Sequence, residues 1–129
     1  MTEQLTTIGP VRVELPPVAS MSRVARLTAT GVASMAGFTI DEIDDINVIV
    51  SEVMVALVEH GAHDTISVTF DVTGGCFTVR GATELENFDL DGPDLALCRT
   101  VLAAVSTSHG IELAGARAEI WASLQQSPA

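Results

Sequence analysis

The stretch TIDEIDDINVIVSEVMVALVEH, residues 39–60, gives the strongest indication of the fold. Its apolar residues recur at helical spacing, at Ile43, Ile46, Val50, Val53 and Leu57. Thr39 and Glu42 have the spacing of a capping box, in which a hydroxyl and a carboxylate bond the free amides that open a helix. Further apolar residues widen the face. The pattern predicts a central core helix that ends near Gly61.

The residues before this helix predict a short strand and an amphipathic helix. Residues 11–15 alternate apolar and polar side chains, and two prolines then end the strand. Ser20 is expected to be the N-cap of a helix over residues 21–36, with Gly37 as its C-terminal stop. One face of that helix carries Val24, Leu27, Gly31 and Met35.

The residues after the central helix predict a hairpin, a third helix and a second hairpin. Residues 65–72 and 76–80 read as strands around the turn Thr73-Gly74-Gly75. Pro93 suits the first turn of a helix over residues 94–106, whose buried face is Leu95, Cys98, Val101, Leu102 and Val105. Residues 110–113 and 117–124 are predicted strands joined by Ala114-Gly115-Ala116, and His109 is expected in a turn.

The element order predicts an α+β fold. Helices can cover one face of a mostly antiparallel sheet, which gives a two-layer sandwich with about three helices. A chain of 129 residues suits one hydrophobic core. We expect a flexible leader at residues 1–10, a single domain over residues 11–124 and a tail at residues 125–129.

The charge of the chain restricts its partners. Six basic residues, none of them lysine, stand against seventeen acidic ones, so the net charge is −11. Direct binding to nucleic acid or to anionic membranes is disfavoured, whereas basic protein partners are favoured. The longest apolar run, residues 53–58, is too short to span a bilayer, and no signal-peptide pattern opens the sequence. The expected location is the cytoplasm.

Cysteines, histidines and the tryptophan are predicted to have structural roles. Cys76 and Cys98 have no CxxC spacing and are expected to be buried thiols. His60 and His63 flank the end of the central helix without a defined ligand geometry, so no metal is expected. Trp121 fits either core or edge packing or a partner surface.

The element order and two segments resemble the RsbW-type anti-sigma factors. These segments are VRVELP, residues 11–16, and VARLTATGVASMAGFTIDEIDDINVIVSEVMVALVEHGA, residues 24–62. The resemblance extends from Val11 to about Leu124 and implies the histidine-kinase-like ATPase fold with a reduced lid. In this family the residue that matches Glu52 is the general base of a serine kinase.

The chain departs from the family pattern at four nucleotide-site positions. Ala56 stands where an asparagine helps to hold Mg²⁺, and Gly81 stands where an aspartate contacts adenine. Gly92 begins the lid position, where the following proline removes an amide donor. Ala116 replaces a threonine whose hydroxyl reaches the nucleotide. The resemblance therefore implies a degenerate scaffold, for which neither ATP nor Mg²⁺ is expected.

The expected function is non-catalytic regulation through a protein partner. As the resemblance implies, that partner is a sigma factor or a STAS-type anti-anti-sigma protein. In the family the first strand and helix commonly form a dimer interface, so a homodimer through residues 11–37 is expected.

Other functions stay open at the level of the sequence. The chain could be an active ATP-dependent serine-protein kinase, with Glu52 as base and Asp45 or Glu59 near the metal. Alternatively, Met54 and Phe88 could reshape the cleft into a small-molecule pocket. Glu52 also fits a solvated acidic helix face, and an α/β protein unrelated to this family is the remaining alternative.

Overall fold

The computed structural model describes residues 7–60, 64–84 and 90–128, with the backbone alone for Asp94. The elements are β1 (Ile8–Leu15), α1 (Met21–Met35), α2 (Ile40–His60), β2 (Ile66–Thr73), β3 (Cys76–Glu84), α3 (Pro93–Val105), β4 (Ser108–Ala114) and β5 (Arg117–Gln125). Predicted features at residues 1–6, 61–63, 85–89 and 129 lie outside the described residues.

The strands form one five-stranded sheet in the order β1-β2-β3-β5-β4, and every neighbouring pair is antiparallel. In β2, Ile66, Val68 and Phe70 are fully buried beneath the helices. The intervening residues of β2, Ser67 among them, are only partly buried on the other face. The predicted α+β sandwich, with three helices over an antiparallel sheet, is confirmed.

Helix α2 is central to the core, as its sequence predicts. The side chains of Ile46, Ile49, Val50, Val53, Met54 and Leu57 are fully buried. The capping box forms, because the Thr39 amide donates to Glu42 Oε1 at 2.8 Å and the Glu42 amide donates to Thr39 Oγ1 at 3.2 Å. The predicted end at Gly61 lies outside the described residues.

Helix α1 packs on the core mainly through small residues. Its buried positions are Ser22, Ala25, Ala29, Val32 and Ala33. Val24, Leu27 and Met35 are 39%, 64% and 73% exposed. Val24, Leu27 and Met35 therefore form an exposed face, which we call the α1 face.

Ser20 occupies the N-cap position of α1 but does not cap the helix. Its backbone is helical, with φ −63° and ψ −20°, and its side chain makes no capping hydrogen bond. A capping hydroxyl requires extended backbone to reach the free amides. The predicted position is right, whereas the predicted cap is wrong.

The ends of the domain extend into the segments that the sequence assigns to a leader and a tail. Strand β1 begins at Ile8, which pairs with Val72. Strand β5 continues through Gln125, and the Gln126 amide then donates to the Gly75 carbonyl at 2.8 Å. The Ser127 amide donates to Glu42 Oε2 at 2.7 Å. Partners distant in the sequence hold these terminal residues in place, and the alternation of apolar and polar side chains does not reveal such partners.

The two hairpins form with small changes in their bounds. Gly74 and Gly75 have φ of 60° and 75°, the conformation of the predicted tight turn. Strand β3 runs four residues beyond its predicted end at Arg80, to Glu84. Strand β4 begins at Ser108, so His109 pairs with Ala122 in the sheet and its predicted place in a turn is wrong.

No helix within the described ranges is both long enough and apolar enough to cross a membrane.

Candidate functional site

A cleft of about 190 Å³ lies between α2 and α3. Its lining consists of one stripe of α2 and two residues of α3: Glu52, Val55, Ala56, Glu59, His60, Leu97 and Cys98. Two of the five nucleotide-site positions, Glu52 and Ala56, are therefore in the cleft.

Glu52 and Glu59 give the cleft a negative charge. Burial, and secondly repulsion from Glu59, raise the pKa of the Glu52 carboxyl. Neither carboxylate accepts a hydrogen bond or pairs with a cation in the described part of the chain. Asp45, the other acid proposed to lie near a metal, is exposed and does not line the cleft.

Ala56 contributes only a methyl group to the cleft. The residue is 4% exposed. Mg²⁺ requires oxygen ligands, which this side chain does not have. Within the described ranges, no group of three or more His, Cys, Asp and Glu side chains is arranged to hold a metal ion. His60 lines the cleft, whereas His63 lies outside the described residues.

Cys98 forms part of the cleft wall as a buried, protonated thiol. Its Sγ lies 3.9 Å from the Glu52 carbonyl oxygen. Burial and the Glu52 charge raise the pKa of this thiol to about 11, although Arg99 acts in the opposite direction. A thiol with so high a pKa is a poor nucleophile at neutral pH. The predicted burial of Cys98 is confirmed, and Cys76 is partly buried at the start of β3.

Gly81 lies in β3 where α2 packs directly against the sheet. A Cβ atom at this position would lie 2.7 Å from Leu57 Cδ1 and 2.8 Å from Val53 Cγ1. Side chains shift at such distances, and both neighbours are fully buried. The close packing favours glycine at this position, because a larger side chain, such as the aspartate of the family pattern, would require Leu57 and Val53 to shift.

Gly92 and Ala116 do not reach the cleft. Gly92 is buried at the N-cap of α3 with extended backbone, and Pro93 follows at the first helical position. Ala116 is exposed in the turn between β4 and β5. The five nucleotide-site positions are therefore not brought together in one pocket.

The small-molecule alternative is supported neither by Met54 nor by Phe88. Met54 is fully buried in the core and does not line the cleft. Phe88 lies outside the described residues.

Four cleft residues were not assigned to a site from the sequence: Val55, His60, Leu97 and Cys98. Leu97 is 65% exposed and Val55 is 45% exposed, although both lie in apolar helices. The signal in the sequence is the position of Leu97 between Leu95 and Cys98, off the predicted buried face of α3. An apolar residue at such a position indicates a surface that is not part of the core.

Trp121 lies on the face of the sheet opposite the helices. The Arg80 guanidinium is 5.7 Å from the centre of its ring, and Arg80 also pairs with Glu119. A Cβ atom on Gly110 would lie 2.6 Å from Trp121 Nε1, so the indole covers this glycine. The residue packs on the outer face of the sheet, outside the core.

Sequence comparison places the chain beside RsbW proteins. No protein-family model matches it. It is 32% identical over 90 residues to the serine-protein kinase RsbW of Bacillus velezensis, covering 67% of the chain and 56% of that protein. It is 33% identical over 85 residues to RsbW of Bacillus subtilis, and this match covers 63% of the chain and 53% of that protein. The chain spans about half the length of the curated relatives it matches.

Structural comparison gives the same fold. The RsbU and RsbW domains of a Mycobacterium tuberculosis protein match with a TM-score of 0.78 and 19% identity. The match covers 95% of the present chain and 34% of the Mycobacterium tuberculosis chain. The SiaB-SiaC complex of Pseudomonas aeruginosa matches with a TM-score of 0.63 and 11% identity, over 88% of each chain. Histidine kinase AdeS of Acinetobacter baumannii matches with a TM-score of 0.56 and 8% identity. The match covers 94% of the present chain and 70% of the AdeS chain.

The sequence identity and the shared fold together make this chain a relative of the RsbW-type serine-protein kinases, with the histidine-kinase-like ATPase fold.

Proposed function

We propose that this chain is a non-catalytic regulatory domain that binds a protein partner, either a sigma factor or a STAS-type antagonist of an anti-sigma factor. The packing at Gly81 carries the proposal, because the Leu57 and Val53 side chains of α2 would have to shift to admit an aspartate at this position. Ala56 adds a methyl group where a Mg²⁺ ligand would stand. The SiaB-SiaC neighbour was solved as a complex of two proteins, which supports partner binding on this fold.

The size and charge of the cleft also disfavour a nucleotide. Pockets for drug-sized ligands have volumes of roughly 300–1,000 Å³. The cleft here has about 190 Å³, and its two carboxylates would repel a triphosphate. Pro93 further removes an amide from the helix end at which phosphates commonly bind.

Calorimetric titration with Mg-ATP and Mg-ADP is expected to give no saturable heat up to millimolar nucleotide. The reason is that the positions which would contact metal, adenine and phosphate are dispersed or lack the necessary groups. Bacillus subtilis RsbW in the same buffer is the positive control. A dissociation constant of about 1 μM or tighter, roughly −8 kcal/mol, would contradict the proposal and favour a kinase.

One observation favours the kinase alternative. The pKa of the Glu52 carboxyl is raised by burial and by Glu59, and a raised carboxyl pKa is common in a general base. The alternative requires nucleotide binding first. If Mg-ATP binds, loss of phosphate transfer in Glu52→Ala would establish that role.

The proposed partner is tested with proteins encoded beside this one. A sigma factor or STAS-type protein from the same gene neighbourhood should elute with the chain in size-exclusion chromatography. The charge of −11 favours a basic segment of the partner and predicts weaker binding at high salt. If neither class of protein binds at micromolar concentration, the proposal fails.

We also propose that the chain forms a homodimer through the α1 face. Replacing Leu27 with aspartate is expected to weaken self-association at least tenfold. The side chain is 64% exposed, and burying a leucine contributes about 1.5–3 kcal/mol. Analytical ultracentrifugation measures the dissociation constant of the dimer.

Leu113→Asp is the matched control, since Leu113 is a 41% exposed apolar residue on β4, away from α1. Its dimer constant should stay close to that of the unmodified chain. A monomeric unmodified chain, or equal weakening by both substitutions, would contradict the assignment of the interface to α1.

A further inference from the structure

We infer that the cleft between α2 and α3 receives a single arginine side chain of the protein partner. The inference rests on the proposed function, because it requires a cleft that does not hold nucleotide. It gives a role in protein recognition to a cleft that contains Glu52 and Ala56, two positions that the family resemblance assigns to nucleotide binding.

The dimensions of the cleft suit one side chain. Its volume is about 190 Å³. A cavity of about 150 Å³ in another protein holds one benzene molecule, which shows that a space of this size accommodates a side-chain-sized group. A nucleotide or another drug-sized ligand needs a larger pocket.

The apolar part of the lining suits the aliphatic portion of arginine. Val55 and Leu97 are 45% and 65% exposed, on α2 and α3 respectively, and Ala56 lies between the acidic residues. Long basic side chains commonly place their methylenes on apolar surface and keep the charge at a polar site. The two exposed residues would lose contact with water when such a side chain enters.

The charged part of the lining suits the guanidinium group. Glu52 and Glu59 lie two turns apart on one stripe of α2, and neither has a cation partner in the described part of the chain. Their repulsion contributes to the raised pKa of Glu52. A cation placed between them would replace this repulsion with attraction, and partial burial of Glu52 would strengthen it.

Arginine fits this lining better than the other cations considered. In the described ranges, no group of three or more His, Cys, Asp and Glu side chains is arranged to hold a metal ion. Lysine is a compact and strongly hydrated point charge. Arginine is weakly hydrated and presents five donors in a planar fork, so it can donate to two separate carboxylates and still stack on apolar walls.

Methyl NMR with N-acetylarginine amide as the probe tests the inference. The methyl resonances of Val55, Ala56 and Leu97 are expected to shift and to saturate in the millimolar range. N-acetylcitrulline amide has nearly the same shape without the charge, and it should produce no saturable shift. Equal shifts with both probes, or no shift with arginine, would overturn the inference.

Paired variants assign the effect to the two carboxylates. Glu52→Gln and Glu59→Gln together should weaken arginine binding at least tenfold, since both changes preserve shape and remove charge. Glu112→Gln removes one charge from an exposed residue of β4 and should leave binding unchanged. Binding that survives the double substitution, or that is lost in Glu112→Gln, would overturn the assignment.

Mg-ATP added to the same labelled sample separates the two proposals. If Mg-ATP produces no shift and arginine amide saturates the cleft methyls, both proposals are supported. If neither compound shifts them, the arginine site fails while the non-catalytic function stands. If Mg-ATP saturates the same methyls, the cleft is a nucleotide site and both proposals fail.

Discussion

Replacing Gly81 with aspartate is expected to lower the free energy of unfolding by about 4 kcal/mol. This substitution restores the residue that the RsbW-type pattern has at the position. It inserts a side chain at a point where a Cβ atom would already lie 2.7 Å from Leu57 and 2.8 Å from Val53. Urea unfolding at pH 7, followed by circular dichroism, measures the change.

Two costs contribute to this expected loss. Val53 is a β-branched residue in a helix, so its side chain has few alternative rotamers, and Leu57 is fully buried. Overpacking a core typically costs about 1–3 kcal/mol. The carboxyl would also enter an apolar interface between helix and sheet, where it must either remain charged at high cost or become protonated.

Alanine substitutions separate these costs. Gly81→Ala adds only the methyl group and is expected to cost about 2 kcal/mol. Gly31→Ala in α1 meets nothing within 4 Å and should raise stability by up to about 1 kcal/mol, since glycine is unfavourable inside a helix. If the free energy of unfolding of Gly81→Asp lies within about 1 kcal/mol of that of the unmodified chain, α2 does not exclude the aspartate. The proposed function then loses its main support.

The sequence predicts elements well where local chemistry and core packing agree. The capping box at Thr39 and Glu42 predicts where α2 begins, and the broad apolar face after it predicts a buried helix. The two glycines at residues 74 and 75 predict the turn between β2 and β3. The contacts of the cap and the turn are made between residues near one another in the chain.

Prediction is less complete for α1, because an apolar face can meet either the core or a partner. Ala25, Ala29 and Ala33 are fully buried because small side chains allow the helix backbone to approach its neighbours closely. The polar residue Thr30 donates to Asn47 Oδ1 of α2 at 3.2 Å. Hydrophobicity indicates the two faces of α1, but only the packing shows that Leu27 is exposed.

The candidate site is also only partly predictable. Glu52 and Ala56 are recognised because they lie on one helix stripe within a family pattern. Leu97 belongs to α3, and its approach to α2 depends on contacts between residues distant in the sequence, such as Cys98 and Glu52. The tight packing at Gly81 likewise arises between β3 and α2. Such long-range contacts determine whether the inherited positions still form one pocket.

Replacing Glu42 with alanine is expected to lower the free energy of unfolding by about 2 kcal/mol at pH 7. The carboxylate is buried to 9% exposure and joins the start of α2 to the end of the chain. Oε1 accepts from the Thr39 amide at 2.8 Å, and Oε2 accepts from the Ser127 amide at 2.7 Å. Urea unfolding again measures the difference.

The pH dependence of this loss identifies the ionised carboxylate as its cause. Burial raises the pKa of Glu42, but hydrogen bonds from Thr39 and Ser127 outweigh burial and lower it below the ordinary 4.5. A lowered folded-state pKa means that the stabilisation is complete above 4.5 and is lost as the pH falls through the folded-state value. The stability difference between the unmodified chain and Glu42→Gln should therefore shrink between pH 5 and about pH 3.

Glu42→Gln is the matched control for charge, because a glutamine can keep the capping bond to Thr39. Its amide group places a donor against the donating Ser127 amide, so this second bond should be lost. We expect a stability between those of the unmodified chain and Glu42→Ala at pH 7. The stability difference between the unmodified chain and Glu42→Gln could instead stay constant from pH 7 to pH 3. That result would mean that the ionised carboxylate does not stabilise the contact between the end of the chain and α2.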